Sequence, residues 1–201
     1  MNPVRTITGT AVPIRRSDID TDQIIPAVWL KRVERTGFGQ GLFSAWREND
    51  PDFVLDRPEY AGATILVAGP NFGIGSSREH AVWSLMDRGF RAVVSPRFGD
   101  IFRVNSTKSG LVPVVLPEEI VTRLWDGIER DPATPITIDV ESSRLVAPAL
   151  GIDEPFPLDP FTRHRLLEGL DDIGLTLRHA DALTIFEASR PSYLPRIQVA
   201  S

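Results

Sequence analysis

The segment Gly73-Ile74-Gly75-Ser76-Ser77-Arg78-Glu79-His80 gathers residue types that bind an anion or activate a hydroxyl. Two glycines let the backbone approach a ligand closely, and the residues after them open a predicted helix with free N–H groups. Ser76 and Ser77 add two hydroxyls, and Arg78 adds a fixed cation able to hold a carboxylate or phosphate bidentately. Three familiar loops are excluded. A P-loop has Lys after its last glycine, where Ser76 stands, and a dinucleotide loop has a third glycine where Arg78 stands. A hydrolase nucleophile elbow has glycine two residues past its serine, where Arg78 or Glu79 stands. Two readings remain. Ser76-Ser77-Arg78-Glu79 has the spacing of a helix capping box, which needs no ligand. A cap leaves Gly73, Gly75, Ser77 and Arg78 unexplained at one strand end, and that surplus favours a site. Asp22 and Glu79 are the carboxylates available to Arg78 if it has a structural partner instead.

Other polar residues give weaker signals. His80 lies on the predicted helix, where a histidine is usually a packing or hydrogen-bonding residue, and His164 and His179 lack metal-ligand spacing. Asp18, Asp20 and Asp22 alternate as in a calcium loop, but that loop's glycine and terminal glutamate are missing. Asp18 therefore reads as part of a solvated turn, and no metal site is expected. Trp29-Leu30-Lys31-Arg32-Val33 reads on its own as a surface helical turn with one buried aromatic.

The elements around the loop form an α/β pattern. Ala63 to Ala68 is a nearly continuous apolar run, as in a parallel strand buried on both faces. A helix over Ser76 to Arg88, stopped by Gly89, leads to a strand over Arg91 to Ser95. A second helix, Asp100 to Ser109, ends at Gly110 and feeds a strand over Leu111 to Leu116. Pro117, at the first helical position, opens a helix through Arg130. Upstream, the β-branched residues 4–14 read as one strand. Downstream, Pro135 to Val140 and Arg144 to Ala147 read as a hairpin. From about residue 160 the chain is helical, with Phe161 to Glu168, two short helices between Asp171 and Ser189, and a loose tail. The loop thus sits at the carboxyl end of a strand, where open α/β sheets place ligands.

Composition narrows the function classes. With 201 residues the chain suits a single domain with its own core. Twenty-seven acids against 22 bases give a net charge of −5, which argues against a nucleic-acid or anionic-membrane surface. There is no cysteine, hence no disulfide, no thiol nucleophile and no iron–sulfur cluster held by this chain alone. Neither a signal peptide nor the run of about 18 apolar residues needed to span a membrane is found, so a cytoplasmic protein is expected.

The loop and four further blocks carry a resemblance. Asp20-Thr21-Asp22-Gln23-Ile24-Ile25-Pro26, Thr36-Gly37-Phe38-Gly39, Asp100-Ile101-Phe102 with Asn105-Ser106, and Gly169 to Leu177 follow in order over nearly the whole chain. Together they resemble the swivelling domain of the aconitase superfamily, and within it the bacterial small subunits of 3-isopropylmalate dehydratase. Ile74 stands where many members carry a non-catalytic cysteine. The resemblance implies a single three-layer β/β/α domain over 1–201, and a hydro-lyase of leucine biosynthesis that works with a large subunit. It also implies a [4Fe–4S] cluster on that large subunit and a small dicarboxylate substrate. Residue by residue, Ser76 falls on the family's base, and Ser77 and Arg78 on its carboxylate contacts. Gly75 and Asp22 fall at the same site, and Trp29 to Val33 on the loop that reads the substrate's variable group. Citramalate or homoaconitate hydro-lyases are the neighbouring alternatives. A serine esterase and a carboxylate-sensing module without turnover are the alternatives outside the superfamily.

Overall fold

The computed structural model describes residues 1–31, 36–75 and 78–191. Two four-stranded sheets share one hydrophobic core. The first is parallel, with β2 (Ala11–Ile14), β3 (Ile65–Ala68), β4 (Ala92–Ser95) and β5 (Val112–Val115) side by side in chain order. All four residues of β2, β3 and β4 are buried, which is why β3 and most of β4 read as apolar runs rather than alternating ones. The second sheet is antiparallel, ordered β1 (Thr6–Gly9), β6 (Ile136–Asp139), β7 (Arg144–Ala147) and β8 (Ile152–Pro155). In β6 and β7 buried and half-buried residues alternate, as for a sheet with one covered face.

Eight α-helices surround the sheets among the described residues: α1 (Thr21–Ile24), α2 (Ser44–Asn49), α3 (Glu79–Asp87), α4 (Asp100–Ser109), α5 (Glu118–Arg130), α6 (Pro160–Glu168), α7 (Asp172–Leu177) and α8 (Ala180–Ser189). Helices α3 and α4 are the crossovers on either side of β4 and pack on each other. Helix α5 lies across β2, β3 and β4, burying Ile120, Val121, Leu124, Gly127 and Ile128, a spacing that lines one helical face. Trp125 on that helix donates its indole N–H to the Val67 carbonyl at 2.9 Å. The chain is an α/β fold in which sheets and helices enclose a common core.

Several sequence expectations need correction. Residues 4–14 form two strands in different sheets, because the chain switches sheets at Thr10. Gly9 marks the switch: a Cβ there would run into the Thr64 side chain. Strand β8, which completes the antiparallel sheet beside β7, has no counterpart in the sequence reading, since Ile-Asp-Glu-Pro offers little apolar pattern and ends in proline. Helix α3 begins at Glu79 rather than Ser76, with Arg78 in the N-cap position and no side-chain cap. The capping-box reading of Ser76 and Glu79 therefore fails. Pro117 is the N-cap of α5 rather than its first helical residue.

Candidate active site

Three strand ends are tied together by backbone at the carboxyl edge of the parallel sheet. After β2 the chain turns through Asp18, whose positive φ of 55° is matched by 62° at Asn71 after β3. Asn71 donates to the Asp18 carboxylate at 2.6 Å, and the Asp18 N–H donates to Pro70. Asp18 is thus a loop clasp, in keeping with a turn residue. One step further, Gly73 N–H donates to Ile19 at 2.7 Å and Thr21 N–H donates to Ile74 at 3.1 Å. On the other side Phe72 N–H donates to Arg97, and Gly99 N–H donates to Phe72. Beneath this junction Phe72 meets Phe102 edge-on at 5.2 Å, and Phe98 lies parallel to Phe102 at 6.1 Å.

Both glycines have a physical reason. Gly73 has φ of 73°, and a Cβ there would collide with the Phe102 ring. Gly75 has φ of 90°, which disfavours any side chain even though a Cβ there would meet Asp20 only at ordinary contact distance. The floor supplied by Phe102 is absent from the sequence reading; only its place in the Asp100-Ile101-Phe102 block points to it.

Across from Gly75, Asp20 caps α1. Its carboxylate accepts the Gln23 N–H at 2.7 Å, and Gln23 Oε1 accepts the Asp20 N–H at 2.9 Å. The reciprocal capping box of this region is here. It fixes Asp22, whose Oδ1 lies 2.8 Å from Arg78 Nη1. That contact is an ion pair by distance, yet Nη1 is buried and makes no hydrogen bond of acceptable angle. The proximity is charge pairing at one nitrogen, without a hydrogen bond along it. Arg78 is 32% exposed and Asp22 57% exposed.

The structure thus brings Arg78 against Asp22 and sets Gly75 beside Asp20 and Thr21. Ser76 and Ser77 lie outside the described residues, as do Arg32 and Val33. Within Ala27–Lys31, a 3-10 turn, the Trp29 ring donates to Ser44 Oγ at 3.1 Å and lies where a Gly41 Cβ would be. Trp29 therefore anchors this loop on α2, leaving Leu30 half-buried and Lys31 exposed beside it. His80 packs 4.7 Å from Trp83 and 5.3 Å edge-on from Phe38, a packing role. The Thr36-Gly37-Phe38-Gly39 block serves the same clip, with the Phe38 N–H donating to Asp87 of α3 at 2.9 Å. His164 contacts Arg178 at 2.9 Å, and His179 sits at the N-cap of α8. Among the described residues no group of three or more His, Asp or Glu is placed to hold a metal, and no helix is long and apolar enough to cross a membrane. A cleft of about 730 Å³ between the N-terminal segment, Thr64 and Arg91 is distant in the fold from this junction and shares none of its residues.

The fold is that of an α/β domain with a glycine-bearing loop at the end of a parallel strand. The family described as aconitase C-terminal domain matches residues 1–119, and the family of the C-terminal domain of 3-isopropylmalate dehydratase small subunits matches residues 172–197. A protein of Acidothermus cellulolyticus named 3-isopropylmalate dehydratase small subunit is 66% identical, covering 97% of this chain and 98% of its own length. Proteins of the same name from Thermobifida fusca and Rubrobacter xylanophilus are 61% and 55% identical, covering 95% and 98% of this chain and 96% and 100% of their own lengths. The crystal structure of 3-isopropylmalate dehydratase from Methanocaldococcus jannaschii superposes with a TM-score of 0.66, covering 90% of this chain and 99% of that one. At 24% identity it speaks to the fold alone. The chain belongs to the 3-isopropylmalate dehydratase small subunit family.

Proposed function

We propose that this chain is the small subunit of a cytoplasmic hydro-lyase that interconverts 2-isopropylmalate and 3-isopropylmalate through 2-isopropylmaleate in leucine biosynthesis. The observation that carries the reading is the Gly75–Arg78 strand end facing Asp22, in a chain 66% identical to a named small subunit over nearly its full length. Arg78, with Ser77 and the open backbone at Gly75, holds a carboxylate of the dicarboxylate substrate. A planar guanidinium suits that task better than an ammonium because it meets both oxygens at once.

Ser76 is the base. Its oxygen, deprotonated in a water-excluded site beside a fixed cation, takes the carbon-bound proton as the neighbouring hydroxyl leaves. The serine then returns that proton to the other carbon as the departed hydroxide adds back in the opposite sense, so the hydroxide and proton lost are the hydroxide and proton regained. The residues of this chain do not fit a [4Fe–4S] cluster, since it has no cysteine. In this reading the large subunit supplies the cluster and the rest of the pocket. The segment Trp29 to Val33 faces the substrate's variable group, with Leu30 and Val33 as apolar contacts for an isopropyl branch.

The test uses the full chain assembled with its large subunit. Wild-type complex consumes 2-isopropylmalate and the isolated chain does not. Ser76→Ala lowers kcat by roughly 100-fold or more, the low end for loss of an acid–base group. Its melting temperature stays at the wild-type value, because α3 starts at Glu79. A Ser76→Ala complex that turns over normally removes Ser76 from the mechanism.

A further inference from the structure

The Asp22–Arg78 pair is an unusual use of two groups that a dicarboxylate site would keep available. Arginine paired with a structural carboxylate ordinarily spends its fork on it, with two parallel N–H bonds. Here one nitrogen touches one oxygen at 2.8 Å, that nitrogen is buried, and no hydrogen bond is formed along the contact. Among the described residues the Arg78 guanidinium makes no other ion pair within 4.0 Å. Asp22 itself is held from behind. The Asp20–Gln23 capping box and the Thr21 N–H bond to Ile74 fix its backbone against the same loop that carries Gly75.

From this geometry, and resting on the reading of the site given above, we infer that Asp22 is a positioning residue that stands in for substrate. In the free chain its carboxylate sits on the Arg78 charge and holds the side chain at the loop. When the dicarboxylate arrives, its carboxylate takes the bidentate contact that Asp22 leaves unused, and Asp22 is displaced towards the solvent that already covers most of it. Asp22 then competes with substrate for one cation rather than binding substrate itself. Competition lowers apparent affinity without touching the bond-breaking step, so its signature lies in KM.

The experiment compares kcat and KM for 2-isopropylmalate in assembled complexes of wild type, Asp22→Asn and Asp22→Glu. Asp22→Asn keeps the shape and removes the charge. It is expected to lower KM by about threefold to fivefold, the scale of a half-exposed ion pair, with the change carried by KM rather than kcat. Asp22→Glu restores a competing charge and brings KM back towards the wild-type value. A raised KM in Asp22→Asn makes Asp22 a direct substrate ligand and overturns the inference. An unchanged KM reduces it to a structural loop residue and overturns it equally. If the wild-type complex itself shows no isopropylmalate turnover, it is the functional reading that fails.

Discussion

The chain has two regions held by different forces. From β1 to α6 the side chains close a continuous core, with Phe72, Phe102, Val67 and Leu124 fully buried. Helices α7 and α8 bury no residue at all, and they display Ile173, Leu177, Ile185 and Phe186, the last 65% exposed. What ties the extension down is charge. Asp172 receives Lys108 from α4 at 3.0 Å and Arg165 from α6 at 2.9 Å, while Arg178 reaches back to Glu168 at 3.3 Å. The contrast teaches that the site rests on the apolar region, where the Phe102 floor shapes the loop. The extension follows salt and pH instead.

The sharpest way to break this contrast is to attack the floor. Phe102→Ala empties a fully buried ring position and should cost about 3–5 kcal/mol in urea unfolding. A loss under about 1 kcal/mol would mean that the core does not depend on it. Gly73→Ala is next. It forces a side chain into a left-handed position and against Phe102, and about 2–4 kcal/mol is expected from strain plus overpacking.

Acid separates the two regions in another way. Lys108, by its hydrogen bond first and its charge second, and then Arg165, hold the Asp172 carboxyl below the usual carboxylate range. The folded value being the lower one, the tie is fully present above the ordinary value near ~3.9 and is lost as pH falls through the folded value. Amide protection in α7, taken relative to the intrinsic exchange rate at each pH, should therefore fall on acidification before protection in β3 and β4 does. Simultaneous loss would show that the extension is part of the cooperative core. The smallest effect belongs to Phe186→Ser, which should change stability by no more than about 0.5 kcal/mol because the ring touches no core.

Legibility in the sequence follows the same division. Helix α4 runs from Asp100 to Ser109 as its pattern predicts, because Gly110 stops it with φ of 91°. Strands β3 to β5 are visible because burial leaves mostly apolar residues to read. The place of the glycine loop at a strand end is visible too. Its architecture is not. That Phe102 underlies Gly73, and that Asp22 reaches Arg78, are contacts between distant positions that no local period encodes. Helix α1 carries a reciprocal box at Asp20 and Gln23, whereas α3 has Arg78 at its N-cap with no side-chain cap.

The single residue that separates β1 from β2 has a consequence for synthesis. Thr8 of β1 meets Thr137 of β6, 129 positions later, and their hydroxyls lie 3.0 Å apart. At translation rates of about 5–20 residues per second, the first strand emerges from the ribosome roughly 6–26 s before its partner. Throughout that interval β2 can pair only with strands of the other sheet, so the parallel half has its chance to close while β1 waits as an unpaired N-terminal arm. A nascent chain paused before residue 136 would carry β2 to β5 and the candidate loop, with β1 still free to be captured by another molecule's open edge.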